Sequence, residues 1–268
     1  MTNPLTDIEK QKLVATFYLN KVHAPGLDEL AFRIVDSISD VKERTAAFLT
    51  LSYYLAEFGN VRLAEDVARR HLHGYPKISA LIALGCSLRK EDAGHALSYF
   101  REAEGQLKEI KDSDERAILL VQFARAYLRL GDWERATEFA NQISSMGDRV
   151  ATLCEVAGAL WAANELSGAK QVLAGAHELA NEVPIDERTG ALNDVAKALM
   201  QVGREQEASE LWEKAITFAN SSNESAKWLY SVCENLLSAG KRERAREVAM
   251  LITNEARRNQ ALSRVDKK

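Results

Sequence analysis

Proline, cysteine, aromatic residues and any basic excess are all scarce in this chain of 268 residues. Only four prolines occur, Pro4, Pro25, Pro76 and Pro184, so long stretches lack the residue that most strongly breaks helices. The three cysteines, Cys86, Cys154 and Cys233, are odd in number, far apart and never in a Cys-x-x-Cys pair. No disulfide framework or zinc site is readable from them, and reduced thiols in a cytosolic compartment are the expectation. Aromatics make up 7% of residues, and no useful length alternates Val, Ile and Thr at period two, so no sheet is expected. A formal net charge of −4 argues against a general binder of phosphate backbones, which carries a clear basic excess. No apolar run approaches the ~20 residues that a membrane-spanning helix needs. The first twenty residues place Asp7 and Glu9 ahead of a short apolar run with no small-residue cleavage site, which does not read as a secretory signal. The sequence therefore predicts a soluble, cytoplasmic protein without membrane contact.

Motifs of chemistry are absent too. There is no Gly-x-Ser-x-Gly, Walker loop, His-Glu-x-x-His or Gly-x-Gly-x-x-Gly, hence no evident nucleophile or phosphate cradle. His71 and His73, two residues apart, point to different sides of a helix and suit a helix C-terminus rather than a metal; His23, His95 and His177 are isolated. No enzyme, cofactor or metal is expected.

What the chain does contain is helix-forming Ala and Leu within a 46% hydrophobic content, arranged in a repeat. Units open at Gln11, Arg44, Lys77, Arg116, Arg149, Arg188 and Ser225, with Arg258 beginning one more, at intervals of 33, 33, 39, 33, 39, 37 and 33 residues. A period in this range signals stacked helix pairs. Fifteen residues after each opener stand Gly26, Gly59, Asp92, Gly131, Asn164, Gly203 and Gly240, mostly residues that accept a left-handed helix end. Five further on stand Ala31, Ala64, Ala136, Ala169, Ala208 and Ala245, with Ala96 matching if its turn is one residue shorter. Eight after the opener stand Ser52, Gly85, Ala124, Ala157, Ala196 and Cys233, while Leu19 departs. Small residues at both places let paired helices approach to about 8–10 Å. Lys42-Glu43-Arg44, Asp114-Glu115-Arg116 and Asp186-Glu187-Arg188 recur every 72 residues, so short and long units alternate, with the extra residues assigned to the second helix. First helices are predicted near 7–22, 42–57, 77–90, 115–130, 149–163, 187–202 and 225–239. Second helices follow near 27–38, 61–72, 93–110, 133–144, 166–182, 205–220 and 242–256. Asp112-Ser113-Asp114 and Pro184-Ile185-Asp186 are expected to supply helix caps.

The unit, as in Leu130-Gly131-Asp132-Trp133-Glu134-Arg135-Ala136 and Ala239-Gly240-Lys241-Arg242-Glu243-Arg244-Ala245, resembles a divergent tetratricopeptide repeat over roughly residues 7–265. That resemblance implies an all-α, right-handed superhelix of about seven helix pairs in a single domain. Its units run approximately 7–43, 44–76, 77–115, 116–148, 149–187, 188–224 and 225–257, with a C-terminal helix at 258–268 serving as a cap or a dimer face. It also implies a non-enzymatic scaffold or adaptor that binds a protein or peptide on a concave face made by the first helices.

Helical spacing places Asn20, His23, Tyr53, Cys86, Arg89, Lys90, Arg125, Arg129, Trp161, Asn193, Lys197, Lys227, Tyr230 and Glu234 on that face. The predicted binding residues are Arg89, Lys90, Arg125, Arg129 and Lys197, with Tyr53, Trp161 and Tyr230 as aromatic anchors. Arginine forks meet carboxylates bidentately, so an acidic partner is expected. The bland reading of the same charges is a solvated helix face paired with acids such as Glu155 or Glu134. Trp133 and Trp212 are expected in the core and Trp228 at a joint between units. Two alternatives remain: an RNA-binding helical repeat, favoured by the basic C-terminus from Lys241 and disfavoured by the net acidity, and a structural or oligomerising subunit using a convex ridge of long second helices.

Overall fold

The structure, a computed structural model, describes residues 5–19, 26–88, 92–222 and 224–267, all of whose regular elements are helical. The helices are α1 Asp7–Leu19, α2 Leu27–Asp36, α3 Val41–Glu57, α4 Val61–His71, α5 Gly74–Ser87, α6 Ala93–Leu107, α7 Ser113–Leu130, α8 Trp133–Asn141, α9 Met146–Ala162, α10 Leu166–Glu182, α11 Ile185–Gln201, α12 Glu205–Asn220, α13 Ser225–Ser238, α14 Arg242–Leu251 and α15 Glu255–Asp266. They alternate as first and second members of helix pairs in the expected order, with α15 as the extra helix. Second helices of 15–17 residues (α6, α10 and α12) alternate with ones of 9–11 only from α4 to α10; α2 and α4 are both short, and α12 follows directly on another long one.

The chain divides into two compact units, Met1–Gly131 and Asp132–Lys268. In the first, α3 packs on α4 and α5 on α6, while the first helices α1, α3, α5 and α7 pack successively on one another. In the second, α9 packs on α10, α11 on α12 and α13 on α14, and α9, α11, α13 and α15 stack in the same way. Each unit thus presents a layer of first helices and a layer of second helices around a shared apolar core. No described helix is long and apolar enough to cross a membrane.

The register explains the packing. Ala31, Ala64, Ala136, Ala169, Ala208 and Ala245 are completely buried, and so are Ala124, Ala157, Ala196 and Cys233 eight residues after their openers. Gly85 occupies the tightest place: a Cβ there would collide with the Phe100 ring and lie 3.0 Å from the Ala96 carbonyl oxygen. Gly26, Gly59, Gly131, Asn164, Gly203 and Gly240 all take positive φ, and Asn164, at φ 65°, is the one non-glycine among the described residues to do so. Asp92, at φ −96°, does not, which accords with the turn of its unit being shorter.

Caps close the helices where small polar residues stand ready. Asp40 accepts from the Glu43 amide, Asp112 from those of Asp114 and Glu115, Ser145 from that of Asp148 and Asn254 from that of Arg257. The expected cap at 184–186 differs: Pro184 itself precedes α11 and no side chain caps it. Here the fixed proline φ opens the helix instead. Helix α5 begins three residues earlier than expected because His73 and Gly74 turn the chain ahead of Pro76, which is tolerated in a first helical turn. Trp212 is buried as expected; Trp228 packs against Gly190, where a Cβ would lie 2.8 Å from its ring; Trp133 is only half-buried rather than core.

Candidate functional site

Adjacent first helices of the second unit leave a groove of about 580 Å³ between α9 and α11. Its floor is made by Ala151, Gly158, Ala159 and Ala162 from α9 and Ala198 from α11, small residues that leave space a larger side chain would fill. Gly158 has a particular part: a Cβ there would stand 2.9 Å from Gln201 Oε1, so glycine lets that amide lie against α9. Trp161, half-buried, supplies the aromatic wall. Glu155, Asp194, Lys197 and Gln201 supply the polar groups. A concave surface of this size with an aromatic and a few convergent polar groups is the usual form of a ligand site.

The electrostatics depart from a basic face. Burial pushes the Asp194 carboxyl up from its ordinary 3.8 to about 6; Lys197 pulls it back and Glu155 pushes it further up. The Cys154 thiol beneath is buried and raised far above its ordinary value by desolvation, with Asp194 and Glu155 adding to the effect, so it is a poor nucleophile. Glu155, Asp194 and Lys197 are the charged residues that line the groove.

Of the residues anticipated for binding, Trp161 and Lys197 meet in this groove. Tyr230 is half-buried on α13 and does not line it. Arg125 and Arg129 are exposed on α7 in the first unit, where Arg129 lies close enough to the half-buried Cys86 thiol to oppose the upward shift that burial gives it. Arg89 and Lys90, with Asn20 and His23, lie outside the described residues. Tyr53 on α3 is a tether between first helices: its hydroxyl and that of Ser79 on α5 stand 2.5 Å apart, and Ser79 donates to Gln122 Oε1 on α7 at 2.7 Å. Burial raises the Tyr53 phenol. Asn193 is not on a free face, being buried and accepting from Trp212 Nε1 at 3.0 Å while donating to Ser231 Oγ at 3.1 Å. Unlike Asn193, the expected Cys86 and Glu234 remain half-buried and Lys227 exposed.

Asp194 is the residue that sequence reading passed over. Glu155 and Asp194 both stand six residues after their openers, Arg149 and Arg188, a position that also holds Gln122 and Ser231. That register was the available signal.

A second groove, about 340 Å³, lies between α2 and α4 of the first unit. Its apolar side is built from Phe32, Leu63 and His71, and His71 stacks on Phe48 at 4.4 Å between ring centroids and meets Phe32 edge-on at 5.2 Å. His71 is thereby a packing residue at the end of α4. Among the described residues no three His, Cys, Asp or Glu side chains gather as metal ligands would.

No protein-family profile and no curated protein matches the chain. Among solved structures it is similar to RapI in its apo form, with 15% identity, 98% of this chain and 78% of that one covered, and a TM-score of 0.46. It is similar also to a Rap protein complexed with competence and sporulation factor, at 17% identity, 97% and 78% coverage and a TM-score of 0.43. Ton1535 from Thermococcus onnurineus NA1 follows at 16% identity, 97% and 90% coverage and a TM-score of 0.35. Likeness this distant bears on neither ligand nor partner.

Proposed function

We propose that this helix-pair repeat protein is a non-enzymatic adaptor that binds an extended peptide segment of a partner along its first helices, with the α9–α11 groove as the principal contact. The observation that supports it is the groove itself: an open concavity of about 580 Å³, floored by alanine and glycine, walled by Trp161 and edged by Glu155, Asp194, Lys197 and Gln201. Aromatic anchors flanked by charged groups are where binding energy concentrates. Arg125 and Arg129, exposed on α7 of the first unit, are offered separately as contacts for acidic residues of a partner. Phosphate-backbone binding is disfavoured by the formal net charge of −4.

Selection of displayed random decapeptides on the full chain at pH 7.5 tests this reading. Binders should emerge whose affinity falls at least tenfold in Trp161→Ala while its thermal midpoint stays near that of the wild type. Reversal of Arg125 and Arg129 to glutamate should weaken those binders that carry acidic residues. Selection that enriches nothing, or binders indifferent to Trp161→Ala, would overturn the proposal.

A further inference from the structure

Ion pairs bridge second helices that stand side by side. Arg69 of α4 reaches Glu102 of α6 at 2.7 Å, and Arg244 of α14 reaches Glu213 of α12 at 2.6 Å. Leu63 of α4 stands nineteen residues after its opener Arg44, as Arg244 does after Ser225. Leucine offers no such bridge, and between α2 and α4 the surface opens into the groove of about 340 Å³ at Phe32, Leu63 and His71. That groove shares Glu29, Leu63 and Asp66 with a further hollow of about 340 Å³ running on to Gly26 and Asn60. Together they form one trough along both helices. At its Gly26 end Asn60 donates to Asp28 at 2.7 Å. Helix α4 has 11 residues, so the trough is about 16 Å long, or three turns of helix.

The floor is apolar and held from within. Phe48, buried on α3, stacks on His71 and stands 5.6 Å from Phe32 between ring centroids, while Phe32 and Leu63 stay half-buried. A half-exposed ring and a half-exposed leucine on a packed ring stack gain by being covered with further apolar side chains. On the inner side α3 packs against both α2 and α4 and, because the turns at 37–40 and 58–60 are short, runs antiparallel to both. The trough is the matching seat on the outer side, and its length and floor suit the helix-in-groove mode of recognition.

Charge and dipole set the direction. At Arg33, Arg70 and His71 the trough reaches the last turns of α2 and α4, so the negative ends of two helix dipoles lie together there. Among the described residues neither Glu29 nor Arg33 has an ion-pair partner, and Arg70, 73% exposed, holds Asp66 only at 3.4 Å. The other end is mixed, with Arg62 accompanying Asp28 and Glu29 of the first turn of α2. A helix lying antiparallel brings the positive end of its own dipole to the α2 and α4 C-termini, and the acidic side chains favoured in a first helical turn come to Arg33 and Arg70. A parallel helix would set like dipole ends together.

We propose that the α2–α4 trough docks an amphipathic α-helix of a partner protein, antiparallel to α2 and α4, with a stripe of leucine or aromatic side chains on Phe32, Leu63 and His71 and an acidic first turn at Arg33 and Arg70. This site is built in the first unit from other residues than the α9–α11 groove and does not rest on the reading of that groove. It gives the adaptor a second surface, made by second helices, for a helical rather than an extended segment.

Helices of about twenty residues, long enough to form alone when rich in alanine, are the probe. A displayed library carries two glutamates in the first turn, two lysines in the last, and leucine, phenylalanine, tryptophan or serine at stripe positions i, i+3, i+4 and i+7, and is selected on the full chain at pH 7.5. The expected binders prefer leucine or an aromatic to serine on the stripe. Their affinity should fall about tenfold or more in Leu63→Arg, which places there the residue type that α14 has, fall about threefold or more in Arg33→Glu, and stay unchanged in Trp161→Ala. The companion library with glutamates and lysines exchanged should yield no Leu63-dependent binder of equal affinity. No binder, or binders indifferent to Leu63→Arg, overturn the site; equal Leu63-dependent binders from the exchanged library overturn the antiparallel placement. Binders that need Trp161 and not Leu63 also overturn the site, and leave the α9–α11 reading standing. Should Leu63→Arg melt below wild type, the double variant Arg33→Glu with Arg70→Glu, both at exposed positions, decides in its place, and undiminished binding by it overturns the site.

Discussion

Arg44, Arg116, Arg149, Arg188 and Arg258 each turn back to the carbonyl end of the preceding second helix. Their guanidinium groups donate to the backbone oxygens of Ile38 at 2.9 Å, Leu107 at 2.9 Å, Ile143 at 2.8 Å, Val183 at 3.0 Å and Ile252 at 3.3 Å. The residues that own those oxygens are buried, so without the arginine a helix-end carbonyl would be left unsatisfied beside the core. Arginine serves because its charge favours the negative end of the helix and its long stem reaches past the connecting loop. The period of these openers was plain in the sequence, whereas their purpose was not, since it lies in a bond to a backbone atom five to nine residues away. Arg149→Ala should cost about 1–3 kcal/mol in chemical denaturation, with Arg149→Lys recovering part of it. Asp194 works in the opposite sense. Its folded pKa, about 6, lies above its ordinary 3.8, so it favours the folded state relatively at low pH and penalises it above 6. That gap corresponds to roughly 3 kcal/mol at most. Asp194→Asn should therefore be more stable than wild type at pH 7.5, and the difference should shrink as pH falls from 6 towards 4; a difference constant across that range would contradict the burial of the charge.

At the scale of the helix, the turns and contact points were the most legible part of the fold. Six of seven turn positions adopt the left-handed backbone that glycine or asparagine was expected to supply, because the demand is local and only a few residue types meet it. Gly203→Ala, at φ 77°, should lose about 1 kcal/mol, and Asn164→Gly should be neutral or mildly stabilising in the same assay. Small residues at helix contacts were equally legible through their spacing. Ala208→Leu, at a completely buried site, should splay α11 from α12 and cost about 1–3 kcal/mol by overpacking; a thermal midpoint equal to wild type would mean that the contact is elsewhere. Helix starts were read less well. At α5 a proline sits in the first turn and at α11 one stands just before it, so hydrophobic periodicity, which begins only with the buried residues, places the boundary late.

For the molecule as a whole, the sequence favoured a basic binding face because arginine and lysine recur at two of the expected face positions. Two features of the α9–α11 groove were not anticipated. Asn193, expected to be available, is consumed by Trp212 and Ser231, and Glu155 and Asp194, one register position further along, enter the groove in its place. A rotation of about 100° between successive residues separates a buried side chain from a groove-lining one, and which of them faces the neighbour is decided by how two first helices pack. Helical spacing alone could not resolve that difference, although the identity of Trp161 and Lys197 as groove residues was within its reach.

The most direct measurement is an amide and indole NMR titration of the full chain with the tightest-binding selected peptide at pH 7.5. The account predicts that the Trp161 indole and the amides of Gly158, Asp194, Lys197 and Gln201 shift first and saturate together, and that the same titration of Trp161→Ala shows weaker, later saturation. Shifts confined to Phe32, Leu63 and His71 between α2 and α4, with the α9–α11 resonances unmoved, would contradict it.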